Sequence, residues 1–106
     1  MVTRIWKAQA TSEGAIQYRN HFEERVLPEL RNVAGFLKAY LLQREHEDIV
    51  EIEVHTLWES IDHIRAFAIN GLDYAVIEQD AENAVLEYDK TVTHFITYEY
   101  FQKDVL

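Results

Sequence analysis

The sequence contains no cysteine. Disulfides, cysteine-ligated zinc, iron–sulfur clusters and thiol catalysis are therefore excluded within this chain. It has one proline and three glycines in 106 residues, so breaks and tight turns have few places to sit. No apolar run approaches the roughly 20 residues of a membrane-crossing helix. Basic residues are scarce, with ten Lys and Arg against 19 Asp and Glu, a formal charge of −9. Such a surface repels a phosphate backbone or an anionic lipid face, and no Lys/Arg cluster offsets it locally. Neither nucleic acid nor membrane is an expected partner. The opening MVTRIWKAQA has no apolar core segment and no cleavage site, so no signal peptide is expected and the cytoplasm is the expected location.

What is present suits one packed domain over residues 1–106. The chain is 48% hydrophobic, enough for a normal core at this length. Six Tyr, five Phe and two Trp leave rings to line a pocket after the core is filled.

Periodicity divides the chain. Residues 2–9, VTRIWKAQ, alternate and favour a strand. Thr11-Ser12-Glu13-Gly14 reads as a turn, with Ser12 as N-cap. Ala15, Tyr18, Phe22, Val26, Leu30 and Val33 recur at helical spacing, with Pro28 expected to kink the helix and Gly35 to stop it. Residues 36–46 and 49–58 read as a hairpin turning at Glu47-Asp48. Ser60 is placed to cap a second helix whose inner stripe is Ile61, Ile64, Phe67 and Ala68. Asn70-Gly71 ends that helix. Another helical stretch is expected from Asp73, broken near Glu78-Gln79-Asp80 and resumed from Ala81 to Tyr88. The run TVTHFITYEYF, 91–101, reads as the last strand. The order β-α-β-β-α-β gives an α+β, ferredoxin-like fold, with a four-stranded antiparallel sheet in the order 4-1-3-2 and helices on one face.

Side chains alternate between the two faces of a strand. In the third strand Val50, Ile52, Val54, Thr56 and Trp58 should face the helices, leaving Glu51, Glu53, His55 and Leu57 on the open side. In the last strand Val92, His94, Ile96 and Tyr98 form the more apolar row. Pattern alone does not choose a face for Arg4 and Trp6. Ile5, Leu57 and Phe95 interrupt the open rows, and a half-apolar sheet face is seldom left in water. Two copies packed face to face about a two-fold axis would cover it, so a homodimer is expected.

Three constellations carry chemistry. Arg4, Trp6, Trp58 and His94 would share one layer on adjacent strands, with Tyr98 further along the His94 row. His94 titrates near neutrality and is the candidate general base. Arg4 suits a carboxylate, phenolate or developing oxyanion. The indoles and Tyr98 would contact an aromatic substrate. The same residues also read as a packed core with a satisfied histidine and an arginine at a strand edge. Glu51, Glu53 and His55 have ligand chemistry, yet same-face residues lie nearly 7 Å apart along a strand. A polar surface paired with Lys7 suits them better than one ion, and no metal is expected. Ser60 is accounted for as a cap, not a nucleophile.

RIWKAQAT, Val26-Leu27-Pro28, Val33-Ala34-Gly35-Phe36, Thr56-Leu57-Trp58-Glu59-Ser60, Ile64-Arg65-Ala66-Phe67-Ala68 and Val92-Thr93-His94-Phe95, in that order, resemble the antibiotic biosynthesis monooxygenase superfamily across nearly the whole chain. The resemblance implies a dimeric α/β barrel with a pocket between sheet and helices in each subunit. One branch oxidises aromatic polyketides with molecular oxygen and no metal or flavin, so no cofactor is expected. Another branch binds and degrades heme, using an Asn in the first strand, a Trp in the second helix and a His just after it. The matching positions here are near Trp6-Lys7, Phe67 and Ile77, and none carries that group. The leading expectation is a cofactor-independent monooxygenase for a small aromatic or polyketide-like molecule. The alternatives are a non-catalytic small-molecule-binding or stress-associated dimer, and, more remotely, a heme-binding protein.

Overall fold

Alternation and β-branched residues make Val2–Ala10 the first strand, β1, and the antiparallel partners it gathers set the site. The computed structural model describes residues 1–100 and Lys103. After β1 come α1 (Ser12–His21), a π-helical turn (Phe22–Val26) and α2 (Leu27–Leu30). The hairpin follows as β2 (Phe36–His46) and β3 (Ile49–Trp58), then α3 (Ile61–Phe67), α4 (Gln79–Ala84), β4 (Glu87–Tyr88) and β5 (Thr93–Ile96). The sheet is antiparallel in the order β2-β3-β1-β4, with β5 also paired to β1. β4 and β5 together fill the edge position expected of one last strand. This is the α+β, ferredoxin-like arrangement.

Three expectations meet a different backbone. The first cap is Thr11, whose Oγ1 accepts the Gly14 N–H at 3.0 Å; Ser12 is already inside α1. Gly14 is needed there because any Cβ would run into the Ala84 carbonyl of α4. No helix forms from Asp73, and residues 85–88 extend instead of continuing a helix. There, Leu86 N–H donates to Gln9 O at 2.8 Å, so pairing with β1 overrides local propensity. The last strand is only four residues long; Phe101, placed in it from the sequence, lies outside the described residues.

The helical run passes Pro28 without a break, by way of the π-helical turn Phe22–Val26. Leu27 N–H bonds to Phe22 O, five residues back, so one turn is widened. Pro28 has no N–H, and its ring would press on the carbonyl four residues earlier; the wide turn lies just where that conflict falls. The hairpin matches the expected bounds. Glu47 and Asp48 take φ of 48° and 66°, the double left-handed geometry of a turn that follows strand twist.

All five helix-facing residues of β3 are buried. The register pairs Arg4 with Thr56 and Trp6 with Val54, which puts Arg4 and Trp6 on the helix side. Two apolar clusters result. One joins Tyr18 and Phe22 to Ile52, Val54 and Ala81; the other joins Leu30, Trp58 and Ile64. Among the described residues no helix is long and apolar enough to cross a membrane.

Candidate functional site

Between the two clusters lies a cavity of about 120 Å³. β1 supplies Arg4 and Trp6, and β3 supplies Val54 and Thr56. The helical run contributes Tyr18, His21, Val26 and Leu30, and α3 contributes Phe67. The segment Ala75–Glu78, with Ala81 and Val92, forms the remaining wall. Glu29, Val76 and Glu78 are exposed and mark the mouth.

Arg4 is buried. Burial pulls its guanidinium down to about 10, opposed by the negative charge of Asp73, so it stays a cation at neutral pH. Nη1 donates to Leu72 O at 2.8 Å and Nη2 to Tyr74 O at 2.6 Å. Nη1 also lies 3.0 Å from His94 Nε2. A guanidinium has five N–H donors and no acceptor. His94 Nε2 must therefore accept, which assigns its proton to Nδ1. Three of the five Arg4 donors are used in this way among the described residues, leaving two without such a partner. Burial first, and the Arg4 charge second, hold the His94 imidazole below its usual range.

The sequence placed Arg4, Trp6, Trp58, His94 and Tyr98 together, and the structure brings only some of them to the cavity. Arg4 and Trp6 line it. Trp6 packs on Tyr18 at a centroid distance of 5.5 Å, and its Nε1 donates to Asp89 O at 2.8 Å. His94 sits behind Arg4, with its Nε2 lone pair occupied. Trp58 is 0% exposed and lies outside the cavity lining. Its Nε1 donates to Thr56 Oγ1 at 2.9 Å, and Phe67 packs on it at 5.2 Å, so Trp58 backs a wall residue instead of being one. Tyr98 is 76% exposed and lies on the opposite face, beside Thr3, Tyr40, His55 and Leu57. Strand parity ends at Ile96, and a 2.6 Å ion pair between Lys38 and Glu99 carries the following segment across that face.

His21 is the residue that sequence reasoning left without a task. It is 9% exposed, lines the cavity, and its Nε2 has no hydrogen-bond partner among the described residues. Glu78 Oε2 lies 3.8 Å away, inside ion-pair range but beyond a hydrogen bond. The available signal was its spacing: Tyr18 and His21 share one helix face at i, i+3. The neighbouring Tyr18 phenol is pushed up by burial.

The remaining candidates have local partners. Glu51 pairs with Arg44, and Glu53 Oε1 lies 2.9 Å from His55 Nε2. No three of His, Asp and Glu converge among the described residues. Ser60 Oγ accepts the His63 N–H and caps α3. Phe67 and Ile77, at the positions matched to the heme branch's Trp and His, both line the cavity and offer no iron ligand.

The described geometry has counterparts among solved structures. A protein of Deinococcus radiodurans classed with antibiotic biosynthesis monooxygenases superposes with a TM-score of 0.61 at 13% identity, covering 99% of this chain and 100% of that one. SnoaB of Streptomyces nogalater, a cofactor-independent oxygenase, superposes with a TM-score of 0.59 at 14% identity, covering 96% and 98%. At such identities the likeness is one of fold. No curated protein matches the sequence. The model of the antibiotic biosynthesis monooxygenase family matches residues 1–70, from β1 through α3, which includes Arg4, Trp6, Tyr18 and His21. The chain belongs to the antibiotic biosynthesis monooxygenase family.

Proposed function

We propose that the chain is a monooxygenase that needs no cofactor and acts on a small aromatic molecule held in the cavity at Arg4. The observation that carries this reading is an apolar, aromatic-walled space containing one permanent cation with unused donors. Molecular oxygen is apolar and enters such a space readily, while a substrate anion formed there is stabilised by fixed donors instead of mobile water. An enclosed cavity of about 150 Å³ holds benzene; this one is about 120 Å³ and opens at a mouth of exposed residues, so it is on the scale of a single ring. SnoaB, which shares the fold, is a cofactor-independent oxygenase.

In this reading the substrate supplies every electron. A hydroxyarene passes its O–H proton to water at the cavity mouth, and the charge delocalises onto a ring carbon. That carbon bonds to oxygen, its hydrogen leaves, and the O–O bond breaks to release water. Hydroxyarene plus O2 thus gives quinone plus water. Arg4 holds the anionic oxygen through its spare N–H groups, Trp6 forms a flat wall, and His94 fixes the guanidinium as a positioning residue.

The open face of the sheet supports a second part of the proposal, a homodimer. Tyr40, Leu42 and Phe95 are exposed there, and pairing with a second copy would remove them from water. Oxygen uptake tests the reaction. Purified protein with a panel of single-ring hydroxyarenes and a chelator should consume one O2 per substrate, and Arg4→Met should abolish the uptake. Binding without uptake would favour the non-catalytic alternative.

A further inference from the structure

The mouth end of the cavity holds a polar group that nothing among the described residues satisfies. His21 Nε2 is buried and unpartnered, and Glu78 Oε2 stands 3.8 Å from it. A buried polar atom left unpaired costs free energy unless something fills the vacancy. His21 closes α1 directly before the π-helical turn Phe22–Val26, and single π turns recur at functional sites. Widening that turn changes the rotational phase between His21 and Val26, both of which line the cavity.

We infer that His21 and Glu78 form a recognition pair for a neutral hydroxyl group on the aromatic ring, so that the cavity selects hydroxyarenes over plain arenes and arene carboxylates. This rests on reading the cavity as the substrate site. A hydroxyl both donates and accepts. It satisfies His21 in either tautomer, donating to a bare Nε2, or accepting from Nε2–H and then giving its own hydrogen to the Glu78 carboxylate, which stands 3.8 Å from that nitrogen. A carboxylate would face the charge of Glu78, with Glu29 also at the mouth. An ammonium would share about 120 Å³ with the Arg4 guanidinium. The hydroxyl is the group that fits both neighbours. On a ring with two hydroxyls the two polar ends are then distinct, with His21 and Glu78 holding the hydroxyl that stays neutral and Arg4 the oxygen that becomes anionic.

Three probes sharing a toluene frame test this on the full chain by calorimetry: 4-methylphenol, toluene and 4-methylbenzoate. The pair predicts that 4-methylphenol binds about tenfold more tightly than toluene, the worth of one buried hydrogen bond, and that 4-methylbenzoate binds more weakly than 4-methylphenol. His21→Phe should bring 4-methylphenol and toluene to roughly equal affinity while toluene binding persists, because only the hydrogen bond is lost. On the wild-type protein the His21 Nε2 nitrogen-15 resonance should move with 4-methylphenol and stay still with toluene, a readout independent of the variant's folding. Equal affinities for 4-methylphenol and toluene in the wild type, or a silent Nε2 resonance, would overturn the pair and leave the cavity reading standing. Failure of all three probes to bind would overturn both.

Discussion

Arg4 Nη1 donates to His94 Nε2 across 3.0 Å. One bond joins the cavity's fixed cation to the histidine that sequence alone presents as a base. The imidazole must stay neutral to accept it, and burial and the Arg4 charge both favour the neutral form.

This has a pH signature. The folded His94 holds its proton less tightly than the unfolded one, so as pH falls below about 6.5, the ordinary histidine value, the unfolded state gains the proton first. The stability contributed by a neutral His94 is present above that value and is lost as pH falls through the lower, folded-state value. Arg4 and Asp73 are the charged groups that act on it. His94→Gln keeps an acceptor and does not titrate. The wild type should therefore lose urea-midpoint stability more steeply than His94→Gln as pH falls below about 6.5. Parallel slopes would contradict the assignment.

Arg4 also ties the sheet to the loop that forms one cavity wall, through Leu72 O and Tyr74 O. Arg4→Met fills similar volume but leaves both carbonyls without their donor. It should cost about 2–4 kcal/mol, since bonds to a charged donor and buried unpaired acceptors each carry 1–3. Limited proteolysis should then cut first within residues 69–78. A stable, uncut variant would mean that the loop holds itself.

The two tryptophans should separate cleanly. Trp58 is fully buried and packs with Phe36 and Phe67, so Trp58→Ala should destabilise the fold by about 3–5 kcal/mol. Trp6→Leu should change stability less and weaken binding of an aromatic ligand more, as measured by denaturation and calorimetry on the same samples. Equal effects of both on binding would place Trp58 functionally at the cavity.

The sheet's open face predicts self-association. Light scattering at micromolar concentration should give twice the chain mass, and Tyr40→Glu with Phe95→Glu should return the single-chain mass without unfolding. These two residues are chosen because both are exposed in the single chain. A wild-type monomer would sink the dimer.

Much of this architecture was legible in the sequence, for reasons that differ by element. The hairpin was readable because β3 buries one row and because Glu47-Asp48 is a polar pair at a fixed turn. The same alternation gave the correct face for Trp58, but not its depth, since burial behind Phe67 depends on where α3 lands. Arg4 was findable as a charge in an apolar strand; that it meets His94 follows from the strand register. Residues 68–92 were least legible. Pairing with β1 and the tether to Arg4, both long-range, override their helical propensity. Tyr98 was lost because parity predicts a face only while the strand lasts. His21 was overlooked because its spacing marks a core position, and only the structure shows that its nitrogen has no partner there.

The most direct measurement is isotopic. Purified protein free of added cofactor is incubated under 18O2 with single-ring hydroxyarenes, and the products are weighed by mass spectrometry. The account predicts a quinone carrying one 18O atom, formed at a rate that Arg4→Met removes. A ligand that occupies the cavity without 18O incorporation, across the whole panel, would contradict it.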